Sequence, residues 1–319
     1  MIMLLQKKPS SLGLSKAVRT VVAAGFLSIL NACSQSDTTQ VSLAVENGLL
    51  PLTVEQGQLG VTATLAQRMD YYQVPGVSIA VFKDGEIVFA EGYGVTHADA
   101  GEPVTPETLF QAASISKSVT AVGALRLVQD GKLELDEDVN RWLTSWRIPE
   151  NQFSLENDVT LRLLLNHSAG VNVPRFPGYS TRSTLPSLVE VLDGAPPANT
   201  DPVQVDIPIG SEIRYSGGGY TIVQQLMIDV SGQSFPDLMA QSVLGPLGMH
   251  QSTFEQPLPE SLVGEAASGH LPGIGPVEGS YHIYPEMAAA GLWTTASDLA
   301  RFAIGIHRAS SGDENAVLN

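Results

Sequence analysis

A single cysteine, Cys33, is all the thiol that the 319-residue chain carries, which excludes an internal disulfide and any cysteine-built metal cage. Basic residues are scarce as well. Seventeen Lys and Arg stand against 33 Asp and Glu, a formal charge of −16 whose sign repels phosphate backbones, so nucleic acid is not expected as a partner. No HExxH, GxSxG, GxxxxGK(S/T) or GxGxxG string occurs, which removes the simplest sequence evidence for zincins, α/β-hydrolases, P-loop NTPases and dinucleotide-binding dehydrogenases. His270 and His282 stand in a Gly/Pro-rich stretch without metal-ligand spacing, and no cofactor or metal is implied. What is there is the composition of a globular protein with a real core: 43% hydrophobic and 16% charged residues.

The N-terminus reads as an address. Residues 1–32 contain Lys7, Lys8, Lys16 and Arg19 and no acid, and an apolar run from Val21 to Leu30 follows, the layout of a secretory signal. That run is well short of the ~20 residues a bilayer-spanning helix needs. It ends in Leu30-Asn31-Ala32-Cys33, which resembles the bacterial lipobox. The resemblance implies lipidation at Cys33, and Ser34 after it is similar to the outer-membrane form of the signal. The expected organisation is a lipoprotein signal peptide at 1–32, a tether at 33–54 and one domain from 55 to 319. The expected location is the bacterial envelope, lipid-anchored in the outer membrane and facing the periplasm.

The order of elements is α+β. Apolar residues Leu59, Val61, Leu65, Met69 and Tyr72 predict a helix over 59–72. Two β-prone runs, 77–82 and 87–90, flank Lys83-Asp84-Gly85-Glu86 and predict an antiparallel hairpin turning on Asp-Gly. From Ser114 to Gln129, Val119, Val122, Leu125 and Val128 recur at three-residue spacing and Gly131 supplies a stop, so a core helix is predicted with Ser114 in its first turn. Helices are also predicted over 159–165, 220–230, 235–244 and 296–306. A long Pro-rich loop is predicted over about 170–213, of the kind that forms functional rims or lids. Asp298 is read as a helix-start residue.

Ser114-Ile115-Ser116-Lys117 is the only S-x-x-K in the chain, and three residues of helix put hydroxyl and amine on one face. A neutral amine there can take the serine's proton while the helix N-terminus favours developing negative charge. Alone, such a string is usually a solvated helix start. It is followed in order by Thr160 to Gly170 (TLRLLLNHSAG), Gly210 to Tyr220 (GSEIRYSGGGY) and Ala290 to Leu299 (AGLWTTASDL).

Together, from about residue 57 onward, these segments resemble the serine β-lactamase-related family, which includes class C β-lactamases, D-alanyl-D-alanine carboxypeptidases, D-aminopeptidases and family VIII carboxylesterases. The resemblance implies a β-lactamase/transpeptidase-like fold, an antiparallel sheet flanked by helices with a mostly helical insertion. It also implies that Ser114 is the acylated nucleophile, Lys117 its proton partner and Tyr215 a general base. Gly217, Gly218 and Trp293 are candidates for contacting substrate, and the loop around His167 is implied to be structural rather than catalytic. Gly217 stands where many family members have an asparagine that holds the substrate amide. The family's third motif, Lys-Thr-Gly or a His-containing relative, is not met before Asn319, so the C-terminal strands are expected to be missing and the hairpin to carry an unpaired edge. The implied partners are the membrane, through the lipid anchor, and a small-molecule or peptide acyl substrate: a cell-wall D-Ala peptide, a β-lactam or a small ester. The alternatives are a non-catalytic lipoprotein that binds peptidoglycan fragments, and an inactive truncated fragment.

Overall fold

The computed structural model of the chain describes residues 39–50, 62–99, 101–155, 157–271, 273–313 and 316–318. The expected signal peptide and Cys33 lie outside the described residues. Within the segment expected as a tether, residues 39–47 are helical, Leu49 pairs with Ala63, and the Tyr93 hydroxyl donates to Glu46 Oε1 at 3.2 Å. Among the described residues, no helix is long and apolar enough to cross a membrane.

The hairpin forms where Asp84-Gly85 placed it. Strand β1 (Gly76–Lys83) pairs antiparallel with β2 (Glu86–Gly94), with a register shift between Val81 and Phe82. Both turn residues have positive φ, 53° at Asp84 and 83° at Gly85, the backbone that a two-residue turn needs to match the twist of its strands. Among the described residues the two strands pair only with each other. Ahead of them, α1 (Leu65–Tyr72) is shorter than the predicted helix. Thr64 fixes its start by accepting from Gln67 N–H while the Gln67 side chain reaches back, a reciprocal cap that outweighs the apolar spacing upstream.

The core is built around two helices. Helix α2 (Ser116–Gln129) buries Val119, Val122, Ala124 and Leu127, and Gly131 ends it with φ 68°. It packs on α5 (Gly217–Ser231), on α6 (Phe235–Met239) and on the one-turn α8 (Met287–Ala290). Between α2 and α5 stand α3 (Leu161–Leu165) and α4 (Leu188–Asp193), and α7 (Glu260–Val263) follows α6. Helix α9 (Ala296–Ser310) lies against both strands of the hairpin. Its cap, Thr295 Oγ1, accepts from the Asp298 N–H at 3.1 Å, as expected for a helix-start aspartate. The Asp298 carboxylate is also buried, where it takes Gln251 N–H, Ser252 Oγ–H and Arg301.

The remaining strands are short antiparallel pairs. Phe110–Gln111 (β3) pairs with Trp293–Thr294 (β8), Tyr179–Ser180 (β4) with His282–Ile283 (β7), and His270–Leu271 (β5) with Gly275–Pro276 (β6). The predicted long loop over 170–213 is therefore not structureless. It holds β4 and α4, the latter started by a Ser187/Glu190 capping box and stopped by Gly194 at φ 61°.

Candidate active site

Ser114 sits in a tight 3-10 turn, Ala113–Ile115, immediately before α2. Its side chain is exposed, and Ala113 before it is held at φ 44°, a left-handed backbone that a non-glycine residue adopts only where its surroundings over-determine it. The start of α2 is stitched to the segment 288–292. Ser116 Oγ accepts from Leu292 N–H at 3.0 Å, Thr120 Oγ1 donates to Ala288 O at 3.3 Å, and β3 pairs with β8 just upstream. These buried bonds fix the serine turn against a second piece of chain.

Lys117, one turn on, is only 7% exposed. Its Nζ donates to the Ala289 carbonyl at 2.7 Å and reaches Ser114 Oγ at 3.4 Å. Burial pushes the amine below its ordinary pKa, and the neighbouring Tyr215 phenol only partly restores it. Among the described residues, no carboxylate pairs with it.

Tyr215 stands over this pair, 45% exposed, with Lys117 Nζ 4.9 Å from its ring centroid. Burial pushes its phenol up, but hydrogen bonding from Lys117 and Ser114 and the lysine's charge outweigh that and bring it below its usual value. The three residues singled out by sequence pattern thus meet at one point. A buried amine touches a serine hydroxyl, and a phenol with a lowered pKa completes the triangle.

His167 belongs to the same neighbourhood in another capacity. It has φ 65°, its Nδ1 accepts from Ser216 N–H at 3.2 Å, and its ring lies 4.6 Å from that of Tyr215 and 5.3 Å from that of Tyr220. Accepting at Nδ1 requires the neutral ring, and burial together with the Lys117 charge holds it below the ordinary histidine pKa. His167 therefore braces the tyrosine segment, in keeping with the structural role implied for its loop.

The substrate-facing candidates fare differently. Trp293 is corrected: it is 0% exposed, paired through its backbone with Gln111 on one side and Thr253 on the other. It packs with Leu109, Leu258 and Tyr281, so it lines no open cleft. Gly217 and Gly218 are buried in the first turn of α5 and serve close packing. A Cβ at Gly217 would lie 3.0 Å from the Phe176 ring, and one at Gly218 2.9 Å from Asn172 O. Sequence reasoning missed the Ala289 carbonyl, for which no side-chain signal exists. It also missed Glu286 at the start of α8, which is fully buried and whose carboxyl oxygens have no partner beyond its own backbone N–H among the described residues. Among the described residues, no group of His, Cys, Asp and Glu could hold a metal ion.

Comparison with known proteins gives a consistent picture. The family model described as Beta-lactamase matches residues 61–318. Penicillin-binding protein 4 of Amycolatopsis lactamdurans is 32% identical over 244 residues, covering 73% of this chain and 59% of that protein. The solved octameric penicillin-binding protein homologue from Pyrococcus abyssi superposes with a TM-score of 0.62 at 29% identity, covering 80% of this chain and 56% of that one. The solved beta-lactamase/D-alanine carboxypeptidase from Yersinia pestis, complexed with citrate, superposes with a TM-score of 0.58 at 18% identity, covering 74% of this chain and 64% of that one. The chain thus spans less than two thirds of the length of each of these proteins.

Proposed function

Because this chain belongs to the beta-lactamase family and has its β-lactamase/transpeptidase-like α+β fold, we propose that it is a serine hydrolase working through a Ser114 acyl-enzyme. One observation carries the reading: a buried lysine amine, with no carboxylate partner among the described residues, sits 3.4 Å from an exposed serine hydroxyl beside a tyrosine of lowered pKa. Ser114 Oγ attacks the substrate carbonyl carbon while its proton passes to the neutral Lys117 amine or to the Tyr215 phenolate. The tetrahedral adduct collapses, the C–N or C–O bond breaks, and the leaving amine or alcohol takes that proton. Water, deprotonated by the same pair, then attacks the ester and releases the acid and free Ser114.

The substrates proposed are cell-wall D-Ala peptides, β-lactams and small esters. The similarity to a penicillin-binding protein supports the first two. Steady-state hydrolysis of an acyl-D-Ala-D-Ala peptide, a chromogenic β-lactam and p-nitrophenyl acetate tests the reading. Turnover of at least one that disappears in Ser114→Ala supports it, and equal rates in the two proteins would refute it. The enzyme is further proposed to be exported and held at the bacterial outer membrane through lipid on Cys33, from the signal-like pattern of residues 1–33. Incorporation of labelled palmitate that is lost in Cys33→Ser is the expected result.

A further inference from the structure

The turn that holds the Lys117 amine is itself tied down by a small set of bonds. Helix α8 presents Ala289 O to Lys117 Nζ and Ala288 O to Thr120 Oγ1, and it packs on the 3-10 turn that carries Ser114. Gln224 of α5 closes over its start, donating through Nε2 to Pro285 O at 3.0 Å and accepting at Oε1 from Ala288 N–H at 2.9 Å. Glu286 stands between those two bonds in the chain. Its carbonyl accepts from the N–H groups of Ala289 and Ala290, both at 3.0 Å. The residue whose carbonyl grips Lys117 is therefore held, through its own N–H, by Glu286.

The Glu286 side chain is placed where a charge has little support. It is 0% exposed, and among the described residues its carboxyl oxygens have no partner beyond its own backbone N–H. The titratable groups that feel it are Tyr284, just upstream, and Tyr179 of β4, whose phenols its charge pushes up. Lys117 comes to α8 from α2 and bonds Ala289 O, α5 brings the uncharged Gln224, and the Ser114 turn brings no acid or base. Burial pushes the carboxyl up to about 7. An uncharged carboxyl is tolerated in such a place, whereas a buried carboxylate without a donor is costly enough to move the chain that carries it.

We propose that Glu286 is a positioning residue for Lys117: with its carboxyl uncharged, α8 keeps the Ala289 carbonyl on the amine, and with the carboxyl ionised the turn shifts and that hold slackens. This rests on the acyl-enzyme reading above and adds a control to the same site, a proton acting on the lysine's anchor rather than on the lysine.

The test is kcat/KM from pH 5.5 to 8.5 on the full chain, in wild type, Glu286→Gln and Glu286→Met, with whichever of the peptide, β-lactam and ester substrates named above turns over. Dividing wild type by variant removes the Lys117 limb, which all three proteins share. The ratio is expected to be flat below pH 6 and to fall about three- to tenfold by pH 8.5, the worth of one hydrogen bond, with its midpoint near 7. Near-ultraviolet circular dichroism at each pH gives the folded fraction, to which every rate is referred. A ratio that does not change with pH, or that falls only in step with the loss of folded wild type, overturns the inference while leaving the acyl-enzyme reading intact. No turnover of any of the substrates by wild type overturns both.

Discussion

Lys117 is held by the carbonyl of Ala289, 2.7 Å from its Nζ, and by no carboxylate among the described residues. A carboxylate would pin the amine in its charged form. A carbonyl holds it in place and leaves it free to lose its proton, which burial already favours. The catalytic consequence is an acid limb in the pH profile. kcat/KM should rise with pH as the amine becomes neutral, with a midpoint below the ordinary lysine value of 10.5. Lys117→Arg keeps the charge but cannot be deprotonated, and should lower kcat/KM by about 10²–10⁴-fold while abolishing that limb.

Tyr215→Phe removes the hydroxyl and keeps the ring that faces Lys117 and His167. Loss of a proton carrier of this kind should cost about 10²–10⁴-fold in kcat. The folded state should be nearly unaffected, so thermal unfolding of the variant should match wild type. A variant that instead loses stability and activity together would place Tyr215 in the packing rather than in the chemistry.

Glu286 supplies a prediction about stability. Burial pushes its carboxyl from 4.5 to about 7, partly countered by its own backbone N–H. The folded state thus binds a proton more tightly than the unfolded chain. This contribution to stability is fully present below pH 4.5 and is lost as the pH rises through about 7. The loss amounts to about 3 kcal/mol over that window. Urea denaturation at pH 5 and pH 8 should show a fall in wild type that is largely absent in Glu286→Gln; equal falls would contradict the assignment.

Gly92 lies in β2 where the chain passes close behind it: a Cβ there would stand 2.2 Å from the Val104 carbonyl oxygen and 2.6 Å from Thr105 N. Both are backbone atoms and cannot swing aside. Gly92→Ala should destabilise by about 2–3 kcal/mol or more, measured by the shift in denaturation midpoint. Gly264→Ala, with open space around it, serves as the control.

Much of this was readable because local chemistry decided it. Asp84-Gly85 dictates its own turn, Gly131 its own helix stop, and S-x-x-K puts Ser114 and Lys117 within reach on any helical turn. Tyr215 came from the ordered set of motifs, and the structure brings it to the other two. The misses have different causes. Trp293 looks like a loop aromatic in sequence, but its short strand is paired on both sides, by Gln111 and Thr253, and that buries it. Helix α1 starts at Leu65 because Thr64 and Gln67 cap each other, a stronger determinant than apolar spacing. Helix α4 spans six residues, too few for a periodic pattern, although the Ser187-x-x-Glu190 box that starts it was there to be read. The Phe176 ring beside Gly217 leaves no trace in sequence spacing.

The most direct measurement is intact-mass spectrometry of the chain after exposure to penicillin, an activated ester and a fluorophosphonate, with Ser114→Ala in parallel. The account predicts one covalent adduct per chain with at least one reagent, mapped to Ser114 and absent from the variant. A folded chain that takes up none of the three, or an adduct that persists in Ser114→Ala, would contradict it.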